Sequence, residues 1–508
     1  MSQLQTLIWA SVTRARAFER EIFVALVVLV VVYFALGAWK AWRSNLPPGP
    51  FGLPIVGYLP FLSLNNPQFD LLKLGKKYGD VFRLKLGSET VIVLHGVEVI
   101  KEALSRADFL GRPTQGVLKL FNEGSAFFNG MDVHKWREQR RFVLQSMRDL
   151  GLGKSLLEVE ILDEIRHFLD NLRVHNGAPM DVKDPLSPSM SNNICSLIFG
   201  KRYEYEDPDR VFLDENLDIT INAISSTSVA GFFPWILKIP LVSKLFEMER
   251  AFNSVNDLMD FFRKEIKKHR STFDSKNSRD FIDSFIREQS SRKLTDPNTT
   301  FTDDTLASNV LDLFAAGSET VRTSILWNLY VACAFPEHQE KVREEILEVM
   351  GEREPEYQDM KNMPFTHSFI LEVMRWKTIV PLNVPHSTLS DTTIGGYHIP
   401  KNATIFTLIW NAHNDPNYWT RPESFIPDRF ITKDGKSVSR PAHFMPFSMG
   451  KRVCPGEPMA MMELFLYFTS IIQKFQLVFP AGYKPTYEAA MGGTYRLEPY
   501  KIRFLARS

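Results

Sequence analysis

The longest apolar segment of the chain lies near its start. Residues 22–39 read IFVALVVLVVVYFALGAW and contain no charged side chain. As a helix they would extend about 27 Å, close to the hydrocarbon thickness of a bilayer. A buried core helix, a cleaved signal peptide and a mitochondrial presequence are alternatives. The length of the run, its charged flanks and the lack of a small-residue cleavage site favour a retained membrane anchor over residues 22–39, preceded by a flank at 1–21.

A proline-rich hinge at residues 40–50 follows the predicted anchor. Its end, Leu46–Pro50, reads LPPGP. Three prolines in four residues keep the backbone extended and prevent a helix. We expect either a stiff spacer that holds a globular body near the membrane or an ordinary turn-rich linker. The basic residues on the two sides of the anchor are nearly balanced in number, so charge does not decide its orientation.

Beyond the hinge, helical periodicity dominates, which predicts a mainly α fold with small β-sheets. One early β-hairpin is expected, with strands at Val81–Leu86 and Thr90–Leu94 joined by Gly87–Glu89. No repeat, low-complexity tract or composition break divides residues 51–508. We therefore predict one large domain over residues 51–508.

One long helix is predicted from the N-cap Thr302 to about Phe335, with Pro336 ending it. Its middle, Val310–Ala316, is apolar on nearly every face, which indicates burial. The polar segment Gly317–Thr320 follows directly. A buried carboxylate and hydroxyl are costly unless they are partnered or used. The alternative is a packing glycine beside a glutamate that faces solvent.

The overall composition excludes several classes of protein. The 508 residues are 44% hydrophobic and 23% charged, unlike a disordered, collagen-like or disulfide-rich chain. The 60 basic and 59 acidic residues give a net charge of +1, which offers no basis for nucleic-acid binding. The three cysteines, Cys195, Cys333 and Cys454, form no C-x-x-C pair. Neither a disulfide framework nor a zinc site is indicated, and a reducing compartment is expected.

Cys454 stands in the most informative segment, Phe447–Glu457, which reads FSMGKRVCPGE and precedes an apolar helical run at Met459–Phe475. Pro455 is expected at the first helical position, with Cys454 at or next to the N-cap, where free N–H groups favour a thiolate. The two glycines allow close approach to a bulky group, the phenylalanine could shield the sulfur, and the arginine could meet an anion. A structural cysteine, a catalytic nucleophile and a thiolate ligand of haem iron all remain open.

The spacing of this segment resembles the haem-binding loop of the cytochrome P-450 family. Further motifs of that family occur in the same order: Trp136-x-x-x-Arg140, Ala316–Thr320, Glu372-x-x-Arg375 and Pro427–Phe430. The resemblance covers residues 46–508 and is greatest to the microsomal animal group that includes drug- and steroid-metabolising members. Two positions depart from the pattern. Ser448 replaces a frequent glycine, and Val321 replaces a frequent hydroxyl residue next to Thr320.

The resemblance implies a cytochrome P-450 fold, a haem b cofactor and a set of site residues. Cys454 would be the iron ligand. The cofactor-binding residues would be Cys454, Trp136, Arg140, Arg452, His386, Arg112 and Phe447. The residues of oxygen activation would be Glu319, Thr320 and Gly317. Without the resemblance, a surface Trp–Arg stack and an exposed i, i+3 pair explain the Trp136 and Glu372 motifs equally simply.

The sequence offers two further candidate binding surfaces, and the resemblance places Gly231–Ile236 near the membrane. Arg137, Arg141 and Arg148 form a basic stripe that is either a solvated face or a dock for an acidic electron donor. A pocket would be lined by several apolar stretches, for each of which plain core packing is the alternative. These stretches are Val117–Phe128, Phe314, Ala315, Val380–Val384 and Met491–Thr494, with Gly231–Ile236 near the membrane.

The implied activity is that of a membrane-bound haem-thiolate monooxygenase. It would insert one atom of O2 into a lipophilic xenobiotic, steroid or fatty-acid-like molecule. Its electrons would come from NADPH through NADPH–cytochrome P-450 reductase, with cytochrome b5 as a further candidate donor. The expected location is the endoplasmic reticulum membrane, with a single span and the catalytic domain in the cytoplasm. A haem-thiolate isomerase or dehydratase and a non-catalytic haem sensor are the alternatives.

Overall fold

The computed structural model describes residues 2–113, 127–128, 130, 132–151, 155–227, 232, 248–296 and 298–507. The helices are α1 (Ser2–Arg43), α2 (Pro67–Tyr78), α3 (Val97–Ser105), α4 (Val133–Asp149), α5 (Ser155–Val174), α6 (Lys183–Phe199), α7 (Pro208–Thr227), α8 (Met248–Ser271), α9 (Phe281–Lys293), α10 (Asp303–Ala334), α11 (Pro336–Val349), α12 (Pro364–Trp376), α13 (Ile409–Asn414) and α14 (Glu457–Lys474). The strands are β1 (Val81–Leu86), β2 (Glu89–Leu94), β3 (Met180–Asp181), β4 (His386–Ser387), β5 (Thr392–Ile394), β6 (Tyr397–Ile399), β7 (Thr404–Thr407), β8 (Phe475–Val478), β9 (Ala489–Met491), β10 (Tyr495–Leu497) and β11 (Lys501–Ala506). The mainly α architecture with small sheets confirms the predicted fold class.

The N-terminal helix is longer than the predicted anchor. It includes one stretch, Phe18–Gly37, that is long and apolar enough to cross a membrane, with a mean hydropathy of 2.3 and none of it buried in the protein. Residues 40–43 of the predicted hinge are helical, because no proline precedes Pro47. The hinge then lies on the body, where Arg83 Nε donates to the Pro47 carbonyl at 2.8 Å.

The largest sheet of the described chain has the strand order β1-β2-β7-β4. Its hairpin was predicted, but β2 begins one residue earlier than expected, at Glu89, which pairs with Leu86. The turn therefore contains only Gly87 and Ser88, and Gly87 takes the left-handed φ of 57° that such tight turns favour. Strand β7 runs parallel to β2, and β4 pairs with β7 at the edge that carries His386.

Helix α10 crosses the centre of the body as predicted. The Thr302 side chain accepts a hydrogen bond from the backbone N–H of Thr305 at 3.1 Å, which fixes the start of the helix. The helix packs chiefly against α6, α8 and α14. Its 32 residues extend about 48 Å, so one helix contributes to both the core and the candidate site.

Helix α14 begins at Glu457, with Gly456 as its N-cap. The prediction that Pro455 occupies the first helical position is therefore wrong, and Pro458 takes the early position that proline favours. The helix is buried along nearly its whole length and carries Glu463, a carboxyl group only 2% exposed in the core. Cys454 lies just before the N-cap, at the end of a loop that the next section describes.

Candidate functional site

The loop that carries Cys454 is closed by a hydrogen bond within the loop, and it packs against α3. The Cys454 N–H donates to the Phe447 carbonyl at 2.9 Å. Gly450 has a φ of 72°, and a Cβ on it would lie 1.9 Å from the carbonyl oxygen of Leu104. Only glycine fits at that position, which explains the first glycine of the motif.

The Cys454 side chain is exposed, in contrast to the buried Cys195 and Cys333. The protein atoms packed around the Cys454 thiol partly remove it from water, which raises its pKa. The backbone N–H groups of Gly456 and Glu457 donate to the sulfur and lower its pKa. The backbone thus supplies donors to a thiolate without fully stabilising one. A metal cation on the sulfur would remove the proton outright, so this environment suits a metal-bound thiolate better than a free one.

Helix α10 opens onto accessible space at the polar segment predicted from the sequence. Ala316 is exposed, and Thr320 is half-buried, although the preceding turns of the helix are buried. The Thr320 hydroxyl donates to the Ala316 carbonyl at 2.8 Å, so the two residues share one face of the helix. That face combines accessible space with a hydroxyl, and the part of Thr320 in oxygen activation stays a prediction.

Gly317 lies where α6 approaches α10 most closely. A Cβ on Gly317 would stand 2.9 Å from Cδ1 of Ile194. Helix packing therefore explains the absence of a side chain, as the packing alternative for this glycine expected. A catalytic part for Gly317 stays a prediction.

Glu319 points into a buried network on another side of α10. Its carboxylate is 2% exposed and forms an ion pair with Arg322. It also accepts hydrogen bonds from Thr494 at 3.0 Å and from Thr323 at 3.3 Å. The glutamate is therefore neither solvent-facing nor unpartnered. The i, i+3 spacing of Glu319 and Arg322 is the sequence signal for this pair.

Four cationic or titratable side chains predicted to bind the cofactor converge from four parts of the chain. Arg112, Arg452 and His386 are 5%, 7% and 3% exposed, and Arg140 on α4 is half-buried. Burial lowers the pKa of Arg112 to about 9 and that of Arg452 to about 8. Burial and the neighbouring Arg112 hold the pKa of His386 well below its usual range. We call Arg112, Arg140, Arg452 and His386 the cation cluster, in which the three arginines carry the charge.

The hydrogen bonds of the cation cluster go to backbone carbonyls. Arg112 Nη1 donates to the Pro385 carbonyl at 2.9 Å, and Arg452 Nη2 donates to that of Gly130 at 2.8 Å. Nη1 of Arg452 is buried and has no hydrogen-bond partner among the described residues. Among the described residues, the three arginines of the cluster donate to backbone carbonyls and to no carboxylate. Buried charges normally have counter-ions, so the cluster is suited to an anionic ligand that the protein itself does not supply.

Trp136 lies within this cluster rather than on the surface. Its side chain is 2% exposed, and the guanidinium carbon of Arg452 stands 3.9 Å from its ring centroid. Arg140 lies over the same ring at 5.9 Å. The surface-stack alternative is therefore wrong. A haem fits these residues, because its two carboxylates match the cation cluster and its iron matches an accessible thiolate.

The predicted Glu372 motif is a fully buried network. Arg375 donates to Glu372 at 2.7 and 2.8 Å, and both side chains are 0% exposed. Arg429 Nε and the N–H of Ile426 also donate to Glu372, at 3.0 and 2.9 Å. The exposed-pair alternative is thus wrong, and the network ties α12 to the segment that leads toward the Cys454 loop.

The basic stripe of α4 is exposed as predicted. Arg137, Arg141 and Arg148 all face solvent, while Gln139 and Val143 are buried on the opposite side of the helix. The helix that brings Trp136 and Arg140 to the cation cluster therefore also presents an external basic surface.

Comparison of the sequence with known proteins finds a matching family and many similar chains. A profile of the family described as Cytochrome P450 matches residues 47–504. Cytochrome P450 2J2 of Homo sapiens is 37% identical over 469 residues, which cover 91% of this chain and 91% of that protein. Cytochrome P450 2B4 of Oryctolagus cuniculus is 38% identical over 481 residues, covering 92% of this chain and 95% of that protein. Cytochrome P450 18a1 of Drosophila melanogaster is 32% identical over 493 residues, covering 95% and 90%.

The chain belongs to the cytochrome P450 family. Cytochromes P450 are haem-containing monooxygenases. One residue that was predicted to line the pocket lies in the core instead. Phe314 is fully buried with its ring 5.9 Å from that of Phe262, so it is a core residue and not a pocket wall. Residues 117–126, 231 and 233–236 lie outside the described residues.

Proposed function

We propose that this cytochrome P450 inserts one atom of O2 into a lipophilic small molecule, with electrons from NADPH delivered by a flavoprotein reductase. The substrate class would be xenobiotic, steroid or fatty-acid-like. The observation that carries the proposal is the cation cluster, which has no carboxylate partner among the described residues and accompanies the accessible thiol of Cys454. Membership of the family supports the reaction class.

The residues around the cluster would hold the haem. Cys454 would ligate the iron, and Arg112, Arg140, Arg452, His386 and Trp136 would face the propionates, with Phe447 beside the sulfur. The bound haem supplies the reductive activation of O2, which no side chain can perform. The backbone N–H groups of Gly456 and Glu457 would orient toward the thiolate and moderate its donation.

The open face of α10 would handle protons. Thr320 holds its hydroxyl proton against the Ala316 carbonyl, at the border between the buried helix and accessible space. Glu319 is adjacent in sequence and is the nearest acid on the helix that could replace a proton lost from that hydroxyl. Positioned acid–base groups of this kind contribute about 10²–10⁴-fold to a proton-transfer step.

The electron donor would bind the basic stripe of α4. Exposed arginines favour an acidic partner surface, and the same helix reaches the cation cluster with Arg140. NADPH–cytochrome P-450 reductase is the proposed partner, and cytochrome b5 is a second. Replacing Arg137 and Arg141 by glutamine should raise the apparent KM for reductase and leave the absorption spectrum unchanged.

The N-terminal helix would anchor the enzyme in the endoplasmic reticulum membrane by a single span, with the catalytic domain on the cytoplasmic side. Its exposed apolar stretch supports the anchor. Deleting residues 1–45 should release most of the protein from membranes without loss of haem binding. A truncated chain that cannot bind haem would contradict this division of the protein.

The reaction is tested with Thr320→Ala at saturating reductase, using substrates found in a binding-spectrum screen. Haem content and substrate binding should stay near the wild-type level, while product formed per NADPH falls and peroxide release rises. Thr469→Ala is the matched control, because Thr469 on α14 makes the same hydroxyl-to-carbonyl bond, to Phe465 at 2.6 Å. An unchanged ratio in Thr320→Ala would remove the proposed role of Thr320. Product formed without NADPH or O2 would favour an isomerase. The absence of any product would favour a haem sensor.

A further inference from the structure

A second cavity lies apart from the candidate site, between α5, the end of α14 and residues 354–355, with a volume of about 280 Å³. Its walls on α14 include Ser470 and Gln473, which share one face of that helix as an i, i+3 pair. Ser470 is roughly 20 Å along the helix axis from Glu457, the end next to Cys454. We call this space the Ser470 cavity. The described residues that line it include none of those predicted to bind the cofactor.

Much of the buried wall of the Ser470 cavity is apolar. Ile165 and Leu169 on α5 are 1% and 7% exposed, Pro355 is also buried, and Leu162 is half-buried. Apolar groups gain free energy when such a wall removes them from water. Pockets for small molecules have volumes of about 300–1,000 Å³, so this cavity suits a ligand at the small end of that range.

Two polar groups interrupt the apolar wall. Ser470 and Gln473 are 3% and 6% exposed. Nε2 of Gln473 donates to the carbonyls of Gly351 and Arg353, each at 2.9 Å, so its Oε1 faces the cavity as an acceptor. Neither this oxygen nor the Ser470 hydroxyl has a hydrogen-bond partner in the described part of the chain. Buried polar groups are normally hydrogen-bonded, and one hydroxyl group on a ligand could both donate to Gln473 and accept from Ser470.

Each basic side chain that lines the Ser470 cavity has a carboxylate partner. The pairs are Arg166–Glu354 at 2.8 Å, Arg173–Asp170 at 2.5 Å and Lys474–Glu352 at 3.4 Å. A charged ligand would therefore meet no unpaired charge of opposite sign among these groups. The arrangement favours a neutral ligand.

We propose that the Ser470 cavity binds a small, neutral, apolar molecule that carries one hydroxyl group, such as an alkylphenol. The hydroxyl donates to Gln473 Oε1 and accepts from Ser470 Oγ, while the apolar part lies against Ile165 and Leu169. A bound molecule would contact both α5 and α14 and so stabilise their packing. The site is separate from the residues of the proposed function and goes beyond that function.

The test measures binding of 4-(trifluoromethyl)phenol by fluorine NMR to the haem-loaded protein, with the haem pocket saturated by an iron-ligating azole. The absorption shift of the azole complex shows that the haem pocket is filled and that each variant is folded. The wild type should retain saturable binding of the phenol. (Trifluoromethyl)benzene, which lacks the hydroxyl, should bind about three- to tenfold more weakly, the range expected for one lost hydrogen bond. Ser470→Ala should weaken binding of the phenol by a similar factor.

A second variant tests the position of the site. Leu162→Trp places a large side chain in the cavity and should abolish saturable binding. Val159→Trp is the matched control, because Val159 lies on the same helix, is 58% exposed and does not line the cavity. Its affinity for the phenol should equal that of the wild type.

Four results would each overturn the proposal. They are no saturable binding to the wild type, equal affinity for the two probes, unchanged affinity in Ser470→Ala, and equal losses in the two tryptophan variants. Because the readout is binding and not turnover, a wild type that forms no product would overturn the proposed function alone.

Discussion

The Nδ2 of Asn383 donates to the hydroxyl of Ser448 at 3.0 Å, and both residues have left-handed backbones, with φ values of 58° and 64°. The bond joins the segment before β4 to the loop that carries Cys454. Asn383 tolerates this conformation well, whereas serine does so at a cost of about 1–2 kcal/mol. The hydrogen bond offsets about 1 kcal/mol of that cost.

Substitutions at Ser448 should separate the two effects. Ser448→Ala keeps the strained backbone and loses the bond, so the free energy of unfolding should fall by about 1 kcal/mol. Ser448→Gly loses the bond but relieves the strain, so its stability should stay within about 0.5–1 kcal/mol of the wild type. Thermal unfolding of the haem-loaded protein measures both. A glycine variant less stable than the alanine variant would show that the backbone at this position is not strained.

Cys454→Ala should abolish the red-shifted absorption of the reduced carbon monoxide complex. Cys195→Ala and Cys333→Ala are matched controls that should retain it, because both thiols are buried away from the loop. Burial raises the pKa of each of these two thiols, so neither is suited to replace Cys454 as a thiolate. A band that persists in Cys454→Ala would disprove the assigned ligand.

Glu372→Gln should destabilise the fold by about 3–5 kcal/mol, because it leaves Arg375 and Arg429 without a buried counter-ion. We expect little soluble, haem-loaded protein, measured as haem per polypeptide after expression. Glu352→Gln is the control, since Glu352 is 79% exposed in its pair with Lys474. That change should cost less than about 1 kcal/mol. Equal haem content in the two variants would mean that the Glu372 network is dispensable.

Glu463 should make stability depend on pH. Burial raises its pKa to about 8, and Asn193 Nδ2 donates to it at 2.9 Å. Its folded pKa exceeds the unfolded value of about 4.3, so its contribution is complete below that value and is lost as pH rises to about 8. Relative to Glu463→Gln, the wild type should lose up to about 1.4 kcal/mol per pH unit within this window. Parallel stability curves for the two proteins would refute the assignment.

The sequence predicted the elements whose signals are local. Proline and the Thr302 cap set the ends of α10, and the apolar run near the N-terminus gave the candidate span. The start of α14 was misplaced because Pro455 and Pro458 both suit a first turn, and only the packing of the loop decides between them.

Only the site residues that belong to sequence motifs could be predicted. The family resemblance brought together Cys454, Trp136 and Arg140, which are far apart in sequence. It gave no sign that Asp218 on α7 would share Arg322 with Glu319, because that contact depends on how α7 lies beside α10. The apolar pattern around Phe314 does not distinguish a pocket residue from the core residue that it is, because burial and pocket lining share the same pattern.

Because of the cation cluster, we expect the amount of this protein in a cell to depend on the supply of its cofactor. Without an anion, the folded chain confines several positive charges that repel one another, so haem binding stabilises the native state by mass action. A cell that makes the polypeptide faster than it makes haem should accumulate chains that unfold more readily. We expect such chains to be degraded first, so that haem synthesis limits the amount of enzyme.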